Sequence, residues 1–318
     1  MTAADHATPP SPVCGRFAPS PSGPMHLGNA RTALLAWLDV RARGGRMLLR
    51  LEDLDRDRCR PEWIDLMRYD LEWLELDWDE ETPAQSLRDP AYVAALDVLR
   101  EKGMVYPCFC SRRELAVASA PHGPADAPYP GTCRTLTESE RAERIGEGRR
   151  PALRVALPDR TLSVADRLCG VASQRLAADV GDIIVRRSDG LFAYQLAVVV
   201  DDAADGVSDV VRGDDLLAST PRQVALQQML GLPTPAYAHV PLVLGCDGRR
   251  LAKRHGPVSL HDLREAGVTA RRLVGRLAAL SGIGDGEPAR PADMVAGFRL
   301  EDVEHEPARL DAAVIEAL

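Results

Sequence analysis

The order of apolar and polar positions divides the chain into strand-length and helix-length runs joined by proline- and glycine-rich turns. A short apolar run at 13–17 leads into a turn through Pro24, after which Leu27, Ala30, Leu34, Leu35 and Leu38 recur at helical spacing. This predicts a strand, a tight loop and an amphipathic helix over 26–43, stopped by Gly44-Gly45. Residues 46–52 (R-M-L-L-R-L-E) then read as a buried strand, completing a βαβ unit whose ligands gather at the carboxyl ends of its strands. Helices are predicted over 61–76, with proline at the first position, and over 90–102, closed by Gly103. Farther on, a strand is expected at 152–157, within a stretch that is mixed and turn-rich over 135–175, and others at 181–187 and 239–244. A helix over 220–230 takes Thr220 as its cap, and Asp201 and Asp202 read as caps of the segment that follows them. Helices over 260–266, 271–281 and 307–317 end the chain.

Length and composition fit a soluble protein of one large α/β domain with an insertion, or of two modest domains. The chain has 318 residues, 45% hydrophobic and 27% charged, and no apolar run as long as a membrane span requires. Residues 1–12 lack a basic stretch followed by an apolar one, so they read as a disordered lead and the cytoplasm is the expected location. A formal charge of −8 argues against a general nucleic-acid coat, though a local basic face suffices for a structured RNA. Of 39 basic residues only Lys102 and Lys253 are lysine. The survival of Lys253 matters, because a compact ammonium meets phosphate differently from a guanidinium.

Seven cysteines without a secretory signal suggest no disulfide framework. Three of them, Cys108, Cys110 and Cys133, fall within 26 residues and suggest a tetrahedral thiolate site for zinc, with His122 the fourth ligand by proximity. Three reduced core cysteines would give the same spacing.

The strand–loop–helix at 13–31 is the plan of a phosphate site, with the backbone N–H groups and the positive helix end facing the ligand. Gly23 and Gly28 allow a close backbone approach, and His26 sits where the loop enters the helix. Arg16 and Ser20 follow the first strand and Glu52 ends the second, so all three converge on one crevice. That convergence suits an amino acid, since a guanidinium grips a carboxylate and a carboxylate holds an ammonium. Taken alone, Arg16 or Glu52 reads more readily as half of a surface salt bridge, and Tyr194 equally well as a core aromatic.

The run R-F-A-P-S-P-S-G-P-M-H-L-G-N-A-R at 16–31 resembles the first signature of class I aminoacyl-tRNA synthetases, and within them the glutamyl branch. Residues 194–202 (Y-Q-L-A-V-V-V-D-D), the R-G-D-D-L run from Arg212 and R-L-A-K-R at 250–254 resemble later segments of the same family. In the last of these, which resembles the second class I signature, arginine and alanine replace the usual lysine and serine while Lys253 keeps its place. The resemblance implies a Rossmann-type parallel sheet split by a zinc-containing insertion. The first half would span 13–105, the insertion 106–180 and the second half 181–258, with a short helical region over 259–318.

The same resemblance implies the site. Arg16 would meet the side-chain carboxylate of L-glutamate, supported by Phe17, Ala18, Pro19 and Ser20. Glu52 would meet the α-ammonium, and Tyr194 and Arg212 the rest of the amino acid, with Arg212 on the α-carboxylate. His26, Gly28, Asn29 and Lys253 would bind ATP, His26 and Lys253 as catalytic residues, with Mg²⁺ as counter-ion. The spacing C-x-C followed by Y-x-x-x-C resembles the glutamyl-Q branch and implies Tyr129, in place of His122, as fourth zinc ligand beside Cys108, Cys110 and Cys133. With no room for an anticodon-binding region, the chain is expected to form glutamyl-adenylate and pass glutamate to the queuosine base of tRNA(Asp), as a monomer. A minimal glutamyl-tRNA synthetase charging the tRNA 3′ end shares every motif, and a small-molecule adenylylating ligase shares the first.

Overall fold

The computed structural model describes residues 12–111, 114, 128–245, 247–249 and 259–310. The chain opens with β1 (Cys14–Phe17), α1 (Leu27–Ala42), β2 (Arg46–Arg50), α2 (Pro61–Trp73), β3 (Glu80–Thr82), α3 (Asp89–Glu101) and β4 (Val105–Cys108). Next come α4 (Glu138–Gly146), β5 (Ala152–Val155), β6 (Thr161–Asp166), β7 (Gly170–Arg175) and β8 (Ile183–Arg186). The later part holds α5 (Tyr194–Ala204), β9 (Asp209–Gly213), α6 (Thr220–Leu230), β10 (Ala236–Val240), β11 (Val243–Gly245), α7 (Leu260–Glu265), α8 (Ala270–Ala279) and β12 (Ala308–Leu310).

Seven strands form the central sheet in the order β3-β2-β1-β9-β10-β6-β7, parallel throughout except for the antiparallel edge strand β7. Parallel strands are buried on both faces, and the side-chain period of two separates the faces here. Met47, Leu49, Val211 and Ala238 enter one core with α1, α2 and α8, whereas Leu48, Val210 and Tyr237 enter another with α3, α5 and α6. From β1 the sheet proceeds one way to β2 and β3 and the other way to β9 and β10, so the order reverses between β1 and β9. Such a switch point opens a crevice at the carboxyl ends of the strands. Strands β4, β5 and β8 form a separate antiparallel sheet beside a small cluster of Tyr106, Cys108, Phe109, Tyr129 and Cys133.

Several expectations are corrected. Helix α1 is buried nearly all round, including the polar Arg31 and Asp39, because it lies between the sheet and α8. Arg31 donates to Ser281 Oγ at 2.8 Å and to the Pro241 carbonyl, while Asp39 takes a bidentate pair from Arg167, both bonds 2.7 Å. The turn-rich stretch contains the β6–β7 hairpin, which extends the main sheet with Leu162 and Val164 buried. The single strand expected at 239–244 is two, β10 and β11, since Pro241 has no N–H with which to continue a ladder. In place of a helix from 307, Ala308–Leu310 pairs with Val243–Gly245 in parallel and buries Leu310; 311–317 lie outside the described residues. Thr220 is the first helical residue and its hydroxyl turns inward to Arg212, so it caps nothing. Asp201 and Asp202 sit inside α5, paired to buried partners.

Candidate active site

Arg16 on β1 and Arg212 on β9 occupy the two strands that flank the reversal, and each is 5% exposed. Arg16 Nε donates to Asp202 Oδ1 at 3.3 Å, and its terminal nitrogens have no hydrogen-bond partner among the described residues. Arg212 donates from Nε to His239 Nε2 at 3.0 Å and from Nη2 to Thr220 Oγ1 at 2.8 Å, leaving Nη1 buried without a partner. An orphaned buried guanidinium nitrogen is costly unless a ligand completes it.

Glu52 follows β2 and is fixed there by its backbone N–H, which donates to the Pro19 carbonyl at 2.9 Å. This bond ties the loop of the first signature to the end of the second strand. The Glu52 carboxylate lies 3.3 Å from Arg50 Nη2, which also donates to Asp202 at 2.6 Å. Burial pushes Glu52 up to about 7, against the pull of Arg50 and Arg16. Burial alone would raise Asp202 too, but Arg50, Arg16 and Arg212 outweigh it and hold that carboxyl below the usual range.

An ammonium held at Glu52 needs its ionised form, so binding of a ligand that presents one should weaken as pH falls through 7. Between pH 8 and pH 6 the ionised fraction of a group titrating near 7 drops about tenfold. Calorimetric titration with L-glutamate, the amino acid that the sequence resemblance implies, should show the Kd rising by that factor, and Glu52→Gln should bind weakly at every pH with no such slope.

A cavity of about 340 Å³ opens beside Glu52, lined also by Ser20, Ser22, Leu54, Asp55, Arg58, Cys59, Gln85, Arg187, Phe192, Ala193 and Tyr194. The Tyr194 hydroxyl, pushed up to about 12 by burial and by Glu52, stays protonated and able to donate. Phe17 turns its ring the other way, into the core with Trp37 and Met47, so only its backbone is left for the crevice. Ala18 and Pro19 continue that backbone toward Ser20.

His26 is the N-cap of α1, its Nδ1 accepting the Asn29 N–H at 3.4 Å. A Cβ on Gly28 would approach the His26 ring to 3.2 Å, so glycine leaves the imidazole its place. Around Gly23 a Cβ would meet nothing within 4 Å, so no contact among the described residues demands glycine there. Residues 250–258, with Lys253, lie outside the described residues, as does His122. The chain resumes at Ser259, which bridges to His26, and Leu260 donates to the Met25 carbonyl at 2.8 Å. Ser259 and Leu260 thus lie beside the first signature.

The sulfurs of Cys108, Cys110 and Cys133 all lie within 4.8 Å of one another. Tyr129 Oη is 3.4 Å from the Cys108 sulfur and 3.7 Å from that of Cys110, while Cys110 and Cys133 are 3.5 Å apart. Three sulfurs and a phenol at these separations fit a tetrahedral ion whose sulfur ligands stand ~3.8 Å apart, and zinc suits that donor set. Tyr129 is placed by its backbone, which bridges to Gly181. With φ at +69°, a Cβ on Gly181 would come within 2.5 Å of the Tyr129 amide nitrogen. Gly181→Ala should therefore push Tyr129 away from the sulfurs. We expect less zinc per chain by metal analysis and a lower Tm; full zinc content would show the tyrosine position to be dispensable.

Arg50, Asp202, Asp166 and His239 are part of this constellation and were missed in the sequence. For Arg50, Asp202 and His239 the one signal was a polar residue inside an otherwise apolar run, R-M-L-L-R, V-V-V-D-D and A-Y-A-H-V.

Residues 12–316 match the family model described as tRNA synthetases class I (E and Q), catalytic domain. The chain is 52% identical over 319 residues to a glutamyl-Q tRNA(Asp) synthetase of Symbiobacterium thermophilum, covering 96% of this chain and 98% of that one. It is 49% identical over 317 residues to the like-named protein of Nitratidesulfovibrio vulgaris, covering 96% and 98%. Its fold superposes with a TM-score of 0.83 on the glutamate-tRNA synthetase of Elizabethkingia anophelis, at 27% identity over 95% of this chain and 69% of that one.

Proposed function

This chain belongs to the class I tRNA synthetases of the glutamyl and glutaminyl (E and Q) kind, and on that premise we propose that it joins L-glutamate to the queuosine base of tRNA(Asp) through a glutamyl-adenylate. One observation carries the choice of amino acid. Two buried guanidiniums with unused N–H groups, Arg16 and Arg212, stand with the Glu52 carboxylate at one crevice. Glutamate presents the complement, two carboxylates and one ammonium. Arg16 takes the side-chain carboxylate, Arg212 the α-carboxylate and Glu52 the ammonium, with Tyr194 and Ser20 at the cavity wall.

In the first step a glutamate carboxylate oxygen attacks the α-phosphorus of ATP in line and pyrophosphate departs with the electron pair. The start of α1 meets the phosphates with the Gly28 N–H and the side chains of His26 and Asn29, and Lys253 meets the charge growing on the leaving group. Mg²⁺ supplies charge neutralisation on the phosphates when bound. Cys108, Cys110, Cys133 and Tyr129 hold zinc as a structural ion away from this chemistry. Lys253→Ala should lower the rate of adenylate formation by about 10²-fold while leaving the Kd for glutamate unchanged; pyrophosphate exchange together with calorimetry checks both.

The acceptor is inferred from the relatives that match along nearly their whole lengths at about half identity and carry the glutamyl-Q name. We place the enzyme in the cytoplasm as a monomer; no described helix is long and apolar enough to cross a membrane. The test is transfer of radiolabelled glutamate to tRNA(Asp) purified from cells with and without queuosine. Label only on the queuosine-containing tRNA supports the reading. Label on tRNA(Glu), indifferent to queuosine, replaces it with aminoacylation of the 3′ end, and no label on any RNA points to a small-molecule ligase.

A further inference from the structure

We propose that His239 is a positioning residue for the amino acid, acting with Asp166 and Thr220 to hold the Arg212 guanidinium so that its unpaired nitrogen is kept for a substrate carboxylate. The proposal rests on Arg212 being the group that binds glutamate.

The hydrogen bonds leave one arrangement. Asp166 Oδ1 accepts the backbone N–H groups of Leu168, Cys169 and His239, at 3.0, 2.9 and 3.2 Å. Its Oδ2 lies 2.5 Å from His239 Nδ1. Burial opposes the charge on Asp166, but the His239 bond and the backbone donors outweigh it and hold the carboxyl down at about 2. An ionised acceptor facing Nδ1 requires the proton on Nδ1. Burial and the neighbouring Arg212 hold the imidazole below its ordinary range, against the pull of Asp166, so the ring is neutral and Nε2 carries a lone pair. Arg212 has only donors to offer, and its Nε points at that lone pair from 3.0 Å.

Thr220 completes the clamp. Its hydroxyl oxygen accepts from Arg212 Nη2 at 2.8 Å and lies 3.1 Å from His239 Nε2. The Tyr237 ring lies 5.2 Å from the guanidinium carbon and stacks on the imidazole at 17° between planes. His239 itself has no exposed surface. Arg212 is thus held along Nε, at Nη2 and across one face, and Nη1 alone is left over.

A histidine serving only to link β10 to β6 needs its Nδ1 proton and nothing at Nε2. Two substitutions separate the roles. His239→Asn keeps an N–H near the Nδ1 position for Asp166 and loses the acceptor for Arg212. His239→Gln carries its amide to about the Nε2 position, where the carbonyl can accept from Arg212. Thr220→Val keeps the shape at 220 and removes the acceptor for Nη2. With glutamate-dependent pyrophosphate exchange on the full chain, we expect His239→Asn to raise the glutamate KM about tenfold or more, because a hydrogen bond to a charged group is lost. kcat and the KM for ATP should stay within about threefold. His239→Gln should recover most of the loss, and Thr220→Val should raise the glutamate KM alone, by about fivefold.

Equal glutamate KM values for the asparagine and glutamine variants, or an unchanged KM in Thr220→Val, would overturn the proposal. So would KM values for ATP and glutamate that rise together. Arg212→Ala run in parallel separates the two levels. If it leaves glutamate binding intact, the reading of Arg212 fails; if it abolishes binding while Thr220→Val and His239→Asn bind normally, only the positioning role fails. Should the position 239 variants melt early, Thr220→Val decides the matter.

Discussion

Arg16→Ala is expected to lower kcat/KM for glutamate in pyrophosphate exchange by about 10³-fold or more, and to change the poor use of glutamine far less. A site whose buried charge is completed by the substrate rejects an analogue lacking that charge by roughly 10⁴-fold, and removing the charge removes the discrimination. Arg16 is suited to this because its Nε is held by Asp202, which leaves the terminal nitrogens pre-aimed at low entropic cost. The loss also acts on its neighbours. Arg16 is one of two cations holding Glu52 toward its ionised form, so its removal should raise Glu52 further and, on the proposed assignment, weaken ammonium binding there at neutral pH. Arg16→Lys should restore little, since a point charge on a flexible stem reproduces neither the fork nor the Asp202 bond. If Arg16→Ala activates glutamate as well as the parent does, at an unchanged Tm, the carboxylate contact lies elsewhere.

The first signature was legible because its chemistry is local. Strand, loop and helix start are contiguous, the His26 cap closes on Asn29 three residues on, and Gly44-Gly45 punctuates the helix end. The cysteine cluster was legible for the same reason, and the geometry gathers Cys108, Cys110 and Cys133 around Tyr129. What escaped were the side-chain pairs between distant segments. Arg16 meets Asp202 across 186 residues, and Arg31 meets Ser281 across 250. No periodicity encodes such partners; the pattern shows only that a charged residue sits where an apolar one belongs. Asp202 therefore read as a cap, and Arg50 was passed over as part of a strand.

Local preference also failed where tertiary pairing outweighed it. The residues from 307 have helical character, yet β11 presents an open edge whose N–H and C=O groups need partners, and Ala308–Leu310 satisfies them. Thr220 has the residue type and position of a cap, yet its hydroxyl serves a buried arginine, an interaction with an ion that exceeds an exposed cap bond. In both places the winning contact is made to a segment that the sequence places elsewhere.

The position that joins these threads is Asp202, and Asp202→Ala should destabilise the chain by about 3–5 kcal/mol as well as abolish glutamate binding. Its carboxylate accepts from Arg50 at 2.6 Å and from Arg16 at 3.3 Å, with all three side chains buried. Arg50 retains Asp205 at 3.1 Å and Glu52 at 3.3 Å, but Arg16 keeps no other anion within ion-pair distance among the described residues. Removing one partner of a buried pair leaves an uncompensated charge, which costs far more than the pair contributes. On a chain of this size that loss corresponds to a fall in Tm on the order of 5–10 °C by thermal denaturation. Glutamate should then rescue the variant less than it rescues the parent, because Arg16 no longer holds its orientation and ligand stabilisation follows the occupied fraction. Asp202→Asn keeps an acceptor without the charge and should fall between the two in both Tm and Kd. An Asp202→Ala protein with parental Tm and parental glutamate affinity would mean that Arg50 and Arg16 are satisfied without it, and that the counter-ion at the heart of the crevice is Glu52 alone.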